Sequence, residues 1–202
     1  MPASTTIFVA HDSRRGISAK GKIPWPQLTQ DMEMFQKTTE DNIIIMGRKT
    51  WDSLPKRPLP KRINIIITNN AEDYSQMRLF QQYGAGVLSS NDLEQAIITA
   101  HSTYPDKKVF VIGGEQIYQT ALEKHLVNNI VVTEIEANFS CDRFFPKVPS
   151  YFIKTGESQP IEQQLTSNDP NMREPAPTLK YKVSQYQLVP NQAEANYIQL
   201  MG

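Results

Sequence analysis

The stretch VFVIGGEQIY, residues 109–118, sets four apolar residues against two consecutive glycines and then opens a helical pattern. A short unbroken apolar run with β-branched members is what a strand buried on both faces requires, as in a parallel sheet covered by helices. Glycines at the strand end let backbone approach another group closely, and the helix that follows aims its free N-terminal amides at anionic groups. The same order recurs in IIIMGRKTW, residues 43–51, where Arg48, Lys49 and Thr50 follow Gly47. Cations there oppose the helix dipole, and an anion such as phosphate between them would relieve the repulsion.

Working outward, residues 7–10, 63–68 and 130–135 are apolar runs of the same kind, and with 43–46 and 109–112 they predict five buried strands. Helical patterns over 28–39, 49–54, 92–104 and 115–125 lie between them, the third with Asn91 three residues before Glu94 as a capping box. Strand and helix alternate, so the class is α/β with a largely parallel sheet. After Pro149 the pattern changes. Residues 151–154 and 181–188 read as strands flanking a polar, proline-bearing loop at 159–177, which predicts an antiparallel pair closing one edge.

Composition limits what such a sheet serves. At 202 residues the chain fits one domain, and its 21 basic residues balance 21 acidic ones, so no general attraction to nucleic acid or membrane is expected. The single cysteine, Cys141, excludes an internal disulfide framework, and the three histidines lack metal-ligand spacing. No apolar run approaches the roughly 20 residues of a membrane span. A soluble cytoplasmic protein is the expectation, with its binding carried by specific sites.

Four motifs are weaker than they look. Gly16 to Lys22 imitates the spacing of a phosphate-binding P-loop, but Ile23 stands where a hydroxyl must hold magnesium. His11, Asp12 and Ser13 contain triad residue types, yet chain neighbours do not make a triad. Asn138-Phe139-Ser140 is a glycosylation sequon only in a secreted chain. Lys56, Arg57, Lys61 and Arg62 form a basic cluster that reads first as a solvated loop.

One acid is out of place. In KIPWPQLTQDMEMF, residues 22–35, a helical step of about 100° puts Leu28, Asp31, Met32 and Phe35 on one face. A carboxylate on an apolar face is costly unless paired, and burial raises its pKa. An ion pair elsewhere in the fold and a ligand account for it equally well on these grounds.

Together these segments resemble dihydrofolate reductase of the eukaryotic type. The resemblance rests on residues 7–10, Gly16-Ile17, Gly21 with Ile23-Pro24-Trp25, Asp31 with Phe35, residues 45–51, Arg57-Pro58-Leu59 followed by Arg62, Ile112-Gly113-Gly114 with Tyr118, Thr133, and Asp142 with Phe145-Pro146. It spans residues 5–190. Many eukaryotic members carry Glu at the position of Asp31. The resemblance implies an eight-stranded, mostly parallel sheet with an antiparallel C-terminal edge and about four helices. It implies NADPH-dependent reduction of 7,8-dihydrofolate to tetrahydrofolate, by hydride transfer to pterin C6 with protonation at N5.

Residue roles follow from the resemblance alone. Asp31 is expected to anchor the pterin and favour its protonation through a water, with Trp25 and Thr133 ordering that network. The substrate surface would comprise Val9, Ala10, Asp31, Met32, Phe35, Leu54, Leu59, Ile112, Tyr118 and Thr133, with Arg62 pairing the folate α-carboxylate. Arg62 is thereby exempted from the solvated cluster. The cofactor would lie along Ala10, Ile17, Gly21, Gly47, Arg48, Lys49 and Thr50, and along Gly113, Gly114, Glu115, Gln116, Ile117 and Tyr118. The Gly113–Gly114 bond is expected to be cis, and residues 14–25 to form a mobile loop over the cofactor. Thr68, Asn69 and Asn91 fall near the adenosine 2′-phosphate, where vertebrate members commonly place arginine, so Arg48 is expected to carry much of the preference for NADPH. No metal is expected.

The domain is expected over 1–190. Residues 191–202 read either as an ordinary C-terminal tail or as the start of a linker to thymidylate synthase, since Glu194, Tyr197 and Leu200 resemble that enzyme's opening segment. The isolated domain would be a monomer, and a fused synthase would make the chain dimeric. Methotrexate-like antifolates would bind. A pyrimidine reductase of riboflavin synthesis on the same scaffold, and a catalytically silent pterin- or nucleotide-binding module, are the competing readings. The first gives no reason for Trp25, Asp31, Phe35 and Arg62 together.

Overall fold

The computed structural model describes residues 4–70, 86–164 and 178–189. The strands are β1 (Thr5–His11), β2 (Gly16–Ser18), β3 (Ile43–Gly47), β4 (Ile63–Ile67), β5 (Gly86–Ser90), β6 (Val109–Val111), β7 (Asn129–Ile135), β8 (Arg143–Phe144), β9 (Phe152–Glu157), β10 (Ile161–Gln164) and β11 (Thr178–Leu188). The helices are α1 (Thr29–Thr39), α2 (Arg48–Ser53), α3 (Leu93–Thr103) and α4 (Glu115–Glu123). The main sheet runs β10-β11-β7-β1-β6-β3-β4-β5, with β9 also paired to β11. Pairings from β7 to β5 are parallel, and those of β11 with β7, β9 and β10 are antiparallel. The expected eight strand positions are present. The outermost holds two short strands, β10 against Thr178–Tyr181 and β9 against Ser184–Leu188.

The unbroken apolar runs have their reason in packing. Ile43 and Ile45 face a cluster with Leu93, Ile97, Ala121 and Leu122 of α3 and α4, whereas Ile44 and Met46 face Trp51 of α2 and half-buried Phe35 of α1. Successive residues of a strand point to opposite faces, so a strand between two helix layers needs apolar residues at every position. All four are fully buried. Each such side chain contributes roughly 1.5–3 kcal/mol relative to exposure.

Several expectations are corrected. The cap of α3 is Asp92, whose carboxylate accepts from Gln95 N at 2.8 Å, not Asn91. Asp92-x-x-Gln95 is itself a capping-box spacing, shifted by one residue. Leu28 is the N-cap of α1 rather than its first helical residue, and α4 ends at Glu123, before His125 turns left-handed (φ 54°). The segment expected to be a loop at 159–177 contains β10, and β5, β2 and β8 were not anticipated. The P-loop look-alike is a tight hairpin, with Ala19 and Lys22 exchanging backbone hydrogen bonds around Lys20 and Gly21 at positive φ. No described helix is long and apolar enough to cross a membrane, and no cluster of metal-ligand type occurs among the described residues.

Candidate active site

Strands β1, β3, β4, β5 and β6 run parallel, so Ala10, Gly47, Thr68, Asn91 and Gly113 come to the same carboxyl edge of the sheet, where open α/β sheets place ligands. Gly47 and Gly113 are in direct contact through Gly47 N donating to Gly113 O at 2.7 Å. The Gly113–Gly114 bond is cis and Gly113 has φ +108°, a conformation side chains rarely adopt. A Cβ on Gly113 would lie 2.9 Å from the Tyr118 ring, and one on Gly114 3.3 Å from Thr50 Oγ1. Tyr118 is pinned by its hydroxyl, which donates to Phe8 O at 2.9 Å, and burial pushes its phenol pKa up.

Asp31 sits in the first turn of α1, facing β7, where the Thr133 hydroxyl donates to its Oδ1. Thr133 is fully buried. Burial raises the Asp31 pKa, and the Thr133 hydrogen bond opposes this without cancelling it. Among the described residues no basic side chain forms an ion pair with Asp31. Trp25 is buried with Leu28, Ile135 and Tyr181, its ring edge-on to Phe139 at 5.7 Å, and Ala10 packs on that group.

Arg62 lies at the other end of α1. It is 5% exposed, and its Nε donates to Thr39 Oγ1 at 2.8 Å while Nη2 donates to Gln36 O at 3.1 Å. Burial lowers its pKa, with Glu40 and Asp41 pulling the other way. Among the described residues it too has no ion-pair partner. Phe35 lies beneath it, 5.9 Å from the guanidinium carbon, and meets Phe8 edge-on at 5.4 Å. Leu54, Leu59 and Ile112 pack on the same cluster. Of the basic cluster, Lys61 pairs with exposed-side Glu40 and Arg57 with Asp52, while Lys56 is exposed.

Other candidate residues lie toward solvent or in contacts of their own. Met32 is 48% exposed, off the packed face that Leu28 and Phe35 occupy. Arg48 does not face an uncompensated dipole, because Nη1 donates to Asp52 Oδ2 at 2.9 Å, one turn along α2. The Glu115 carboxylate accepts from Phe144 N at 2.9 Å and so ties α4 to β8. Lys49, Asn69, Asn91 and Gln116 are exposed, and Ile17 packs on the core from β2.

Two residues central to the site's geometry were passed over. Asp12 accepts from the amides of Arg14, Gly16 and Phe139 at 2.7–3.0 Å, fastening the segment after β1 to the one after β7. Burial alone would raise its pKa, but those amides and the Cys141 thiol together hold it below the usual carboxylate range. Asn64 is fully buried and exchanges hydrogen bonds with the backbone of Leu59, fixing the loop before Arg62. Its signal was present: a lone amide inside INIII has to be satisfied by its own fold.

A mostly parallel sheet with an antiparallel edge, carrying an acid in the first turn of α1 and a buried cation packed against that helix's other end, is the frame of a small-molecule site. The dihydrofolate reductase profile matches residues 4–173. The chain is 32% identical over 173 residues to the dihydrofolate reductase of Heliothis virescens, covering 80% of this chain and 90% of that protein. It is 33% identical over 157 residues to that of Gallus gallus, covering 72% and 79%. It is 38% identical over 152 residues to the bifunctional dihydrofolate reductase-thymidylate synthase of Daucus carota, covering 69% of this chain and 28% of that protein. This chain belongs to the dihydrofolate reductase family, whose members are oxidoreductases that reduce dihydrofolate with a nicotinamide cofactor.

Proposed function

We propose that this chain reduces 7,8-dihydrofolate to 5,6,7,8-tetrahydrofolate with NADPH, hydride entering at pterin C6 and a proton at N5. The observation that carries this is a pair of charges at the two ends of α1, without ion-pair partners among the described residues, one on the helix and one packed against it from the residue before β4. Asp31 in its first turn and Arg62 against Thr39 at its end are eight residues apart in helical rise, about 12 Å. Phe35 lies between them. A substrate with a hydrogen-bonding heterocycle at one end, an aromatic middle and a carboxylate at the other fits that order.

Each residue's part follows from its chemistry. The Asp31 oxygens accept two N–H bonds from the pterin's amino and ring nitrogens, fixing the ring's orientation. A carboxyl whose pKa is raised holds a negative charge only at cost, so ring protonation relieves it. Arg62 offers its remaining donors to the α-carboxylate, and Phe35 covers the aromatic segment.

The residues at the sheet edge suit a dinucleotide: glycine backbone at Gly47, Gly113 and Gly114 with no side chain intervening, then Arg48, Lys49 and Thr50 to meet anionic oxygens. NADPH, when bound, supplies the hydride. The protein's contribution is to align the two rings in a cleft from which water is excluded. With Asn69 and Asn91 where other members place arginine, Arg48 bears much of the selection for the 2′-phosphate.

The reading extends to the whole chain: a monomeric domain over 1–190, cytoplasmic, inhibited by methotrexate. The 191–202 tail lies outside the described residues, and its match to a synthase opening stays a proposal.

NADPH absorbance followed with dihydrofolate, with and without methotrexate, tests the reading. Methotrexate-sensitive turnover is expected. Turnover only with a ribosylated pyrimidine would replace it with the riboflavin-pathway reductase, and none at all from folded protein with a silent binding module. Arg48→Ala should weaken NADPH far more than NADH, and equal losses would remove its assigned role.

A further inference from the structure

Among the buried polar groups, one faces the site without belonging to its expected machinery. Tyr181 lies on β11 opposite Ile135, two residues from the position paired with Thr133, so its side chain stands on the same sheet face as the Thr133 hydroxyl. It is 1% exposed, among Trp25, Leu28 and Ile135. Its hydroxyl lies against the backbone amides of Gln30 and Asp31, close enough for both to act on it but short of full hydrogen-bond geometry with either.

Buried hydroxyls are almost always satisfied, and one left open costs stability. Its surroundings name the missing partner. The first N–H groups of a helix have no intrahelical acceptor, and the N-cap of α1, Leu28, has no side chain that can supply one. Thr29 N is met by Gln163 Oε1 at 2.9 Å and Met32 N by Leu28 O at 2.9 Å. The two amides between them, on Gln30 and Asp31, are those the phenol oxygen faces. Burial raises the phenol pKa and the Asp31 charge adds to it, while the Gln30 and Asp31 amides oppose the rise without cancelling it, so the hydroxyl stays protonated and polar.

We propose that Tyr181 is a positioning residue for Asp31: its hydroxyl oxygen engages the Gln30 and Asp31 amides, fixing the opening turn of α1 and the aim of the carboxylate. Thr133 holds the side chain of Asp31 from β7, and Tyr181 holds its backbone from β11. The inference rests on the pterin reading of Asp31.

Tyr181→Phe removes only the oxygen. The single-turnover rate of hydride transfer to dihydrofolate should fall roughly three- to tenfold, the equivalent of one net hydrogen bond, while NADPH affinity stays the same and Tm is unchanged or higher. In an Asp31→Asn background the same change should cost less than about twofold, because the carboxylate it positions is gone. An unchanged rate in Tyr181→Phe would make the residue simple core filling. Parallel losses of rate, NADPH affinity and Tm would make it a framework residue. Full additivity with Asp31→Asn would sever it from Asp31. Each of those overturns the inference alone, whereas wild-type protein that transfers no hydride to dihydrofolate overturns the parent reading.

Discussion

Asp31 is an acid whose charge costs the fold stability. Its folded pKa is raised above the unfolded value by burial, so between those two values the folded state binds more protons than the unfolded one, and stability declines as pH rises. Above the folded value the cost of the buried charge is fully present. Asp31→Asn keeps the shape and an acceptor for Thr133. It should therefore raise Tm at neutral pH, with the gain shrinking as pH falls toward the ordinary carboxylate range, while turnover near neutral pH collapses. Thermal scans from pH 3.5 to 8 alongside rate measurements check this. A variant less stable than wild type at neutral pH would mean the charge has a partner that compensates it. The acid was visible in the sequence because three apolar neighbours share its helical face. Its partner was named only through the resemblance, since Thr133 is 102 residues away and the register of β7 against β1 is what brings it across. Arg62 presented the converse difficulty. Four clustered cations look alike by residue type, so only the resemblance singled out Arg62, and its burial against Thr39 and Gln36 supplies the physical distinction.

At the scale of elements, the central strands were legible because they are buried on both faces, and β9 and β11 through their aromatic and β-branched residues. β1, β3, β4, β6 and β7 announce themselves by continuous apolar runs. β5 and β10 lie at the two ends of the sheet's path and β2 and β8 form a separate pair, so their exposed sides carry polar residues and the signal is diluted. The β2–β8 pair holds the segment that the resemblance places over the cofactor, and Asp12 anchors it. The folded Asp12 pKa is depressed, so its stabilisation is fully present above the ordinary carboxylate value and is lost as pH falls through the depressed one. Asp12→Asn weakens three amide bonds at a residue 1% exposed, and a loss of roughly 1–3 kcal/mol is expected at neutral pH. The gap to wild type should narrow in acid. Because the segment leads into Ile17, NADPH affinity should fall as well, measurable by fluorescence titration. Lost stability with intact NADPH affinity would detach this segment from the cofactor.

For the whole molecule, the last described strand is the one on which the antiparallel edge depends. β11 pairs with β7 over seven residues on one side and with β9 and β10 on the other, so three strands depend on a segment that begins at Thr178. Tyr181, Val183 and Leu188 are buried from it, and Leu188 N and Val189 N close the far end on Asn128 O and Tyr151 O at 2.8 and 2.9 Å. Because all three pairings share this one strand, its loss removes them together, which makes β11 a cooperative contributor to stability. A chain ending at residue 190 should therefore unfold in one transition, with Tm within about 2 °C of the full sequence and unchanged dihydrofolate turnover, since all of those pairings are retained. A chain ending at residue 180 loses the β7 and β9 pairings and should show no cooperative transition. If ending at 190 lowers Tm or turnover substantially, the domain boundary lies further along, and residues 191–202 belong to the folded unit rather than to a tail or linker.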